Sequence, residues 1–70
     1  MRMQYRLVLI YPDGSAHPGD VYLSREKLEL KMHAIARKPG VRYCCEEWTV
    51  STPTADSPDA LTTKVAVYDV

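Results

Sequence analysis

Seventy residues suffice for one small domain, so we expect a single α+β domain over residues 1–70, with modest stability. Nine basic and nine acidic residues give a formal net charge of zero, which argues against a strongly basic protein built to bind nucleic acid. The apolar run from Leu7 to Tyr11 is too short for a membrane span or for the core of a signal peptide, so we expect no membrane association.

The first strand is predicted at residues 3–11, where aliphatic and aromatic side chains are frequent. It ends at Pro12-Asp13-Gly14, a strong turn signal. Residues 15–20 have the composition of a loop, and residues 21–23 can pair back as a short, optional second strand.

The segment from Ser24 to Gly40 carries the clearest conformational signal, that of an α-helix. Ser24 can accept hydrogen bonds from the free amides of a first turn, while Pro39 and Gly40 predict that the helix ends near Lys38. Between these signals, a stripe of apolar residues at helical spacing should be buried: Leu28, Met32, Ile35 and Ala36.

Two further strands are predicted after the helix, at residues 41–52 and 61–70, with a polar stretch between them that runs to residue 60. The alternation of apolar residues changes phase at Glu46-Glu47, which predicts a β-bulge there. The element order β-(β)-α-β-β predicts a small, three- to four-stranded, mainly antiparallel sheet with one α-helix packed on one face.

The first and last predicted strands indicate a second apolar patch on the face of the sheet away from the helix. Alternation places Val8 and Ile10 of the first strand there, together with Ala66 and Tyr68 of the last strand. Either a partner covers this patch, or a small sheet tolerates a few exposed aliphatic side chains.

No catalytic, metal or phosphate motif stands out, so we expect no enzyme, no cofactor and no metal. Cys44 and Cys45 are adjacent on a strand and point to opposite faces, which favours reduced structural thiols and a cytoplasmic protein. His17 lies near two aspartates in a loop, a weak signal for a metal, and His33 should pair with Glu29 across one helical turn.

Charge is distributed unevenly along the chain. Residues 25–42 carry a surplus of four positive charges, and residues 43–70 carry an equal surplus of negative charges. On the helix, three lysines are predicted along one flank, which could meet phosphates or an acidic partner or simply be solvated: Lys27, Lys31 and Lys38. The outer helix surface should present Leu30, Ala34 and Arg37.

The layout of strand, Asp-Gly turn, Ser-started helix, Pro-Gly stop and strand resembles that of small proteins of actinobacteria and their phages. The resemblance concerns topology and transfers no site residues. It implies an accessory protein of the kind a phage or mobile element uses to modulate a host component. The exposed apolar surfaces favour a small non-enzymatic, protein-binding or regulatory protein, with self-association as a homodimer an alternative. A second hypothesis is a nucleic-acid-binding module that uses the lysine flank, or a sheet face with Arg6, Lys64 and Tyr68.

Overall fold

The computed structural model describes residues 2–56 and 61–70, which form four β-strands and one α-helix. In chain order these are β1 (Arg2–Ile10), β2 (Ala16–Tyr22), α1 (Arg25–Ala34), β3 (Arg42–Val50) and β4 (Thr62–Asp69). All neighbouring strands are antiparallel, in the spatial order β2-β1-β3-β4. The predicted α+β class is confirmed. Of the polar stretch predicted before the last strand, residues 57–60 lie outside the described residues.

The second strand is longer than the sequence predicts. β2 begins at Ala16, because the turn after β1 reverses the chain within a few residues: the Gly14 N–H donates to the Tyr11 carbonyl at 2.9 Å, and the Tyr11 N–H donates to the Ser15 carbonyl at 2.9 Å. Gly14 supplies the positive φ of 87° at this turn. Since β2 is an edge strand, Pro18 removes no hydrogen bond that the sheet needs.

The helix begins where the sequence predicts and ends earlier. Ser24 is the N-cap, and its Oγ accepts from the Lys27 N–H at 3.2 Å. The last helical residue is Ala34, because Ile35 adopts an extended backbone and packs against the core. The predicted end near Lys38 is therefore wrong, and Ala36, which was expected to be buried, is exposed beyond the helix.

The segment after the helix is held by the sheet rather than by helical hydrogen bonds. The Lys38 N–H donates to the Tyr43 hydroxyl at 2.9 Å, and the Arg37 guanidinium donates to the Val70 carbonyl at 2.6 Å. Gly40, with φ of 77°, lies in the turn that leads into β3. The Pro-Gly signal thus marks this turn and not the end of the helix.

The buried core lies between the helix and the central strands. Leu28 and Met32 of α1 form one buried cluster with Leu7, Tyr43 and Cys45. Partly buried apolar side chains surround this cluster: Tyr5, Leu9, Tyr22, Ile35, Val41, Tyr68 and Val70.

The β-bulge lies in β4 and not in β3. β3 pairs with β1 without interruption, so the bulge predicted at Glu46-Glu47 is wrong. In β4, Ala66 is opposite Glu47 and Lys64 is opposite Trp48, which leaves Val65 as the extra residue. The bulge reverses the alternation of the strand, so the residues after it change face.

Candidate partner-binding surface

The face of the sheet opposite the helix, here called the outer face, has no helix or strand of the described residues over it. Its side chains alternate with those of the core cluster and follow from the register of the strand pairs. The apolar members include Ala16, Pro18, Val21, Val8, Ile10, Cys44, Val50 and Val67. The polar members include Arg2, Gln4, Arg6, Arg42, Glu46, Trp48, Thr62, Lys64 and Asp69.

The aliphatic side chains of the outer face are exposed unequally. Val8 and Ile10 lie on the central strand β1 and are half-buried by their neighbours. Val21 on β2 and Val67 on β4 are 54% and 55% exposed. The outer face therefore carries apolar surface on both sides of its centre.

Four polar side chains in the middle of the outer face form one connected cluster. The Arg6 guanidinium lies 4.2 Å from the centroid of the Trp48 ring, a cation–π contact. The Trp48 indole N–H donates to Glu46 Oε1 at 3.0 Å, and Lys64 Nζ lies 3.6 Å from Glu46 Oε2. Both oxygens of the Glu46 carboxylate are thus engaged, and Arg6 already covers the indole ring.

A groove of about 440 Å³ opens beside this cluster, where β2 bulges away from β1. Arg6 is opposite Val21 and Val8 is opposite Pro18, so two residues of β2, Gly19 and Asp20, are opposite Leu7 alone. The groove is lined by Gln4, Arg6, Leu7, Val8, Pro18, Gly19, Val21 and Glu46. The groove thus has the Arg6 cation at its wall.

The thiols of Cys44 and Cys45 are in an unreactive environment. Cys45 is fully buried, and burial raises the pKa of its thiol above the ordinary value. Burial also raises the pKa of Cys44, and a hydrogen bond from its thiol to Asp69 Oδ1 at 3.3 Å acts in the same direction. Both side chains are therefore protonated at neutral pH, a form that is neither a strong nucleophile nor a metal ligand.

His17, predicted in a loop, lies in β2, next to the turn that contains Asp13 and Ser15. The order of hydrogen bonds among these three side chains does not suit catalysis. Ser15 Oγ donates its proton to Asp13 Oδ1 at 2.6 Å, and this hydroxyl and the Ser15 amide lower the pKa of Asp13. The contact between Ser15 Oγ and His17 Nε2 at 3.0 Å then has the histidine as donor. A base that activates a serine must instead accept the hydroxyl proton. No group of three or more metal-binding side chains occurs in residues 2–56 and 61–70.

The structure corrects the predicted outer patch. Val8 and Ile10 lie on the outer face, as expected. Tyr68 packs against the core cluster, and Ala66 lies on the same side, opposite Glu47. The β4 bulge turns Val67 outward in their place, and this exchange was not visible in the sequence because it depends on strand register.

The predicted helix surface is only partly assembled. Leu30 is 69% exposed, and Ala34 is exposed at the last helical residue. Lys27 and Lys31 are exposed and lie one turn apart on α1, with no acidic partner among the described residues. Arg37 and Lys38 lie beyond the end of the helix. The predicted three-lysine flank is therefore reduced to Lys27 and Lys31.

Glu29 does not pair with His33. It accepts instead from Arg25 Nε at 2.9 Å, one turn earlier. Since the guanidinium is the stronger and permanently charged donor, it takes the carboxylate that the histidine was expected to meet.

Compared with models of protein families, with curated proteins and with solved structures, the chain gives no match. Within the described part of the chain, no helix is long and apolar enough to cross a membrane.

Proposed function

We propose that this protein is a small, non-enzymatic accessory protein that binds another protein through its outer face. The observation that carries this proposal is the uncovered sheet face itself, with Val21 and Val67 more than half exposed on either side of Arg6 and Glu46. A sheet with one open face normally presents polar side chains to water, so exposed aliphatic side chains on such a face favour an interaction surface.

The chemistry of the remaining groups favours binding over catalysis. The thiols are protonated by burial, the loop serine gives its proton to Asp13, and the Glu46 carboxylate is engaged by Trp48 and Lys64. None of these groups is poised as a nucleophile or as a general base. The topological resemblance also favours a regulatory role, in which this protein modulates the protein that it binds.

Site-specific photo-crosslinking in the producing cell tests the proposal. A photoreactive amino acid replaces Val67 on the outer face, and in a matched control it replaces Leu30, which is similarly exposed on the helix. We expect one defined protein adduct at Val67 and none at Leu30. The adduct partner, once purified, should bind the wild-type protein and lose roughly tenfold or more in affinity to Val67→Glu, because burying an unpaired charge is costly.

Two outcomes contradict the proposal. One is the absence of any protein adduct at Val67; an adduct at Leu30 alone would place the partner on the helix. The other is a Val67 adduct whose purified partner binds Val67→Glu as tightly as it binds the wild type. An adduct between two copies of this chain, together with a dimer in sedimentation that Val8→Glu converts to a monomer, would identify the partner as a second copy.

A further inference from the structure

We propose that the groove beside Arg6 is a recognition site for a carboxylate on an extended, partly aliphatic peptide segment of the partner. This inference rests on the proposed function, since it names the chemistry that the outer face recognises. It is carried by three observations: the unsatisfied charge and hydrogen-bonding capacity of Arg6, the fixed orientation of its guanidinium, and the apolar walls beside it.

Arg6 has no anionic partner in residues 2–56 and 61–70. No carboxylate oxygen of those residues lies within ion-pair distance of its guanidinium, although Glu46 is its direct neighbour on β3. Glu46 is held by Trp48 and Lys64 instead. Arg25 and Arg42, by contrast, each have a carboxylate oxygen at 2.9 Å.

Part of the hydrogen-bonding capacity of Arg6 is also unused. One terminal nitrogen donates to Gln4 Oε1 at 3.1 Å, while Nε is buried and has no acceptor among the described residues. A guanidinium has five N–H donors in a planar fork, and a carboxylate can accept from two of them at once. A buried donor without an acceptor favours any ligand that supplies one.

The guanidinium is held in place before a ligand arrives. Stacking on Trp48 at 4.2 Å fixes its plane, and the hydrogen bond to Gln4 fixes its rotation within that plane. A preorganised fork loses little entropy on binding, which is the advantage of arginine over lysine at such a site.

The groove supplies apolar walls next to this cation. Val8, Pro18 and Val21 line it, and the bulge at Gly19 leaves the space open. Its volume of about 440 Å³ lies within the range of roughly 300–1,000 Å³ that is typical of ligand pockets. The negative charge of Glu46, which also lines the groove, is compensated by Lys64 at 3.6 Å. The site therefore matches a carboxylate that is flanked by an aliphatic side chain.

NMR titration of the isotope-labelled protein tests this inference through the Arg6 Nε–H resonance. The probe is the peptide acetyl-Val-Glu-Val-amide, and the matched control is acetyl-Val-Gln-Val-amide, which has the same shape without the charge. We expect a saturable shift of the Arg6 resonance with the glutamate peptide, and roughly tenfold to a hundredfold weaker binding of the glutamine peptide.

Variants on the two sides of the groove sharpen the test. Val21→Glu places a carboxylate opposite Arg6 within the chain itself and should abolish peptide binding, whereas Val21→Gln, which loses the same apolar wall without adding a charge, should weaken it less. Arg6→Lys keeps the charge but loses the fork and should weaken binding. Arg2→Lys, at an exposed position on the same strand, should not.

Equal binding of the two peptides, or an Arg6 resonance that does not move, would overturn the inference. So would a short oligothymidylate that shifts Arg6 at a lower concentration than the glutamate peptide, since the ligand would then be a phosphate backbone. If the partner crosslinks at Val67 and binds Arg6→Lys with unchanged affinity, the carboxylate site is wrong and the outer-face function stands. If no partner crosslinks at Val67, the outer-face function itself fails.

Discussion

Gly19 shows how a single residue shapes the groove. A Cβ atom at this position would lie 3.2 Å from two carbons of the Leu7 side chain, a tighter contact than packed side chains normally make. Leu7 is only 7% exposed and belongs to the core cluster, so it has little room to move away. The absence of a side chain at Gly19 therefore lets the bulged edge strand approach the core, and it keeps the adjoining groove open.

We expect Gly19→Ala to lower the free energy of unfolding by about 1–3 kcal/mol, because the new methyl group overpacks Leu7. Urea denaturation of the wild type and the variant measures this change. In a Leu7→Ala background the same substitution should cost clearly less, since the clashing carbons are gone. Equal costs in the two backgrounds would show that Gly19 is needed for its backbone conformation and not for this contact.

At the scale of an element, two leucines of α1 allow the packing of the helix against the core to be tested. Leu28 and Leu30 are two residues apart on α1, but Leu28 is fully buried and Leu30 is 69% exposed. We expect Leu28→Ala to lower the free energy of unfolding by about 2–5 kcal/mol, because it removes transfer energy and leaves a cavity. Leu30→Ala should change it by less than about 0.5 kcal/mol. Similar costs, measured by urea denaturation, would contradict the assignment of Leu28 to the core.

The two ends of this helix differ in how far the sequence determines them. The start was predicted because capping is local: Ser24 bonds to an amide three residues away. The end was not, because Ile35 leaves the helix to pack against the core, and distant partners hold the residues after it. The hydrogen bond from Lys38 to Tyr43 and that from Arg37 to Val70 are tertiary contacts, which no helix signal encodes.

The strands of the candidate site also differ in how far the sequence determines which side chains they present on the outer face. Val8 and Ile10 could be placed on the outer face, because β1 alternates without interruption and pairs regularly with β3. Val67 could not, since the bulge at Val65 reverses the alternation from which the strand's faces were predicted, and the bulge depends on the pairing with β3. The unpaired state of Arg6 was also hidden, because it depends on Trp48 and Lys64 both binding Glu46.

At the scale of the whole molecule, one ion pair of the described residues joins the basic segment of the chain, residues 25–42, to the acidic segment, residues 43–70. Arg42, from the basic half of the chain, pairs with Asp69, from the acidic half, at 2.9 Å. The other two ion pairs of the described residues form within one half each. Such exposed pairs contribute little to stability. The lysines of α1 keep their charge on the helix side, and on the outer face Arg6 has no carboxylate partner among the described residues.

Buried groups that lose a proton at high pH link the stability of the whole molecule to pH. Burial raises the pKa of the thiols of Cys44 and Cys45 in the folded state, and it also raises that of the Tyr68 phenol. Below the pKa of an unfolded thiol, about 8.5, both states hold these protons and the thiols leave stability unchanged. Above it the unfolded state loses the thiol protons first, so the free energy of unfolding must fall as the pH rises.

We therefore expect urea denaturation to show a loss of stability that begins near pH 8.5 and steepens above it, by at most about 1.4 kcal/mol per pH unit for each thiol. The matched control is Cys44→Ala, which should lose less stability than the wild type over the same interval, because only Cys45 then titrates there. The phenol contributes only above about pH 10, the pKa of an unfolded tyrosine, so measurements up to pH 9.5 isolate the thiols. A free energy of unfolding that is constant or rising between pH 8.5 and 9.5 would show that the thiols are solvated in the folded protein, and the burial of both strand faces at Cys44 and Cys45 would then be wrong.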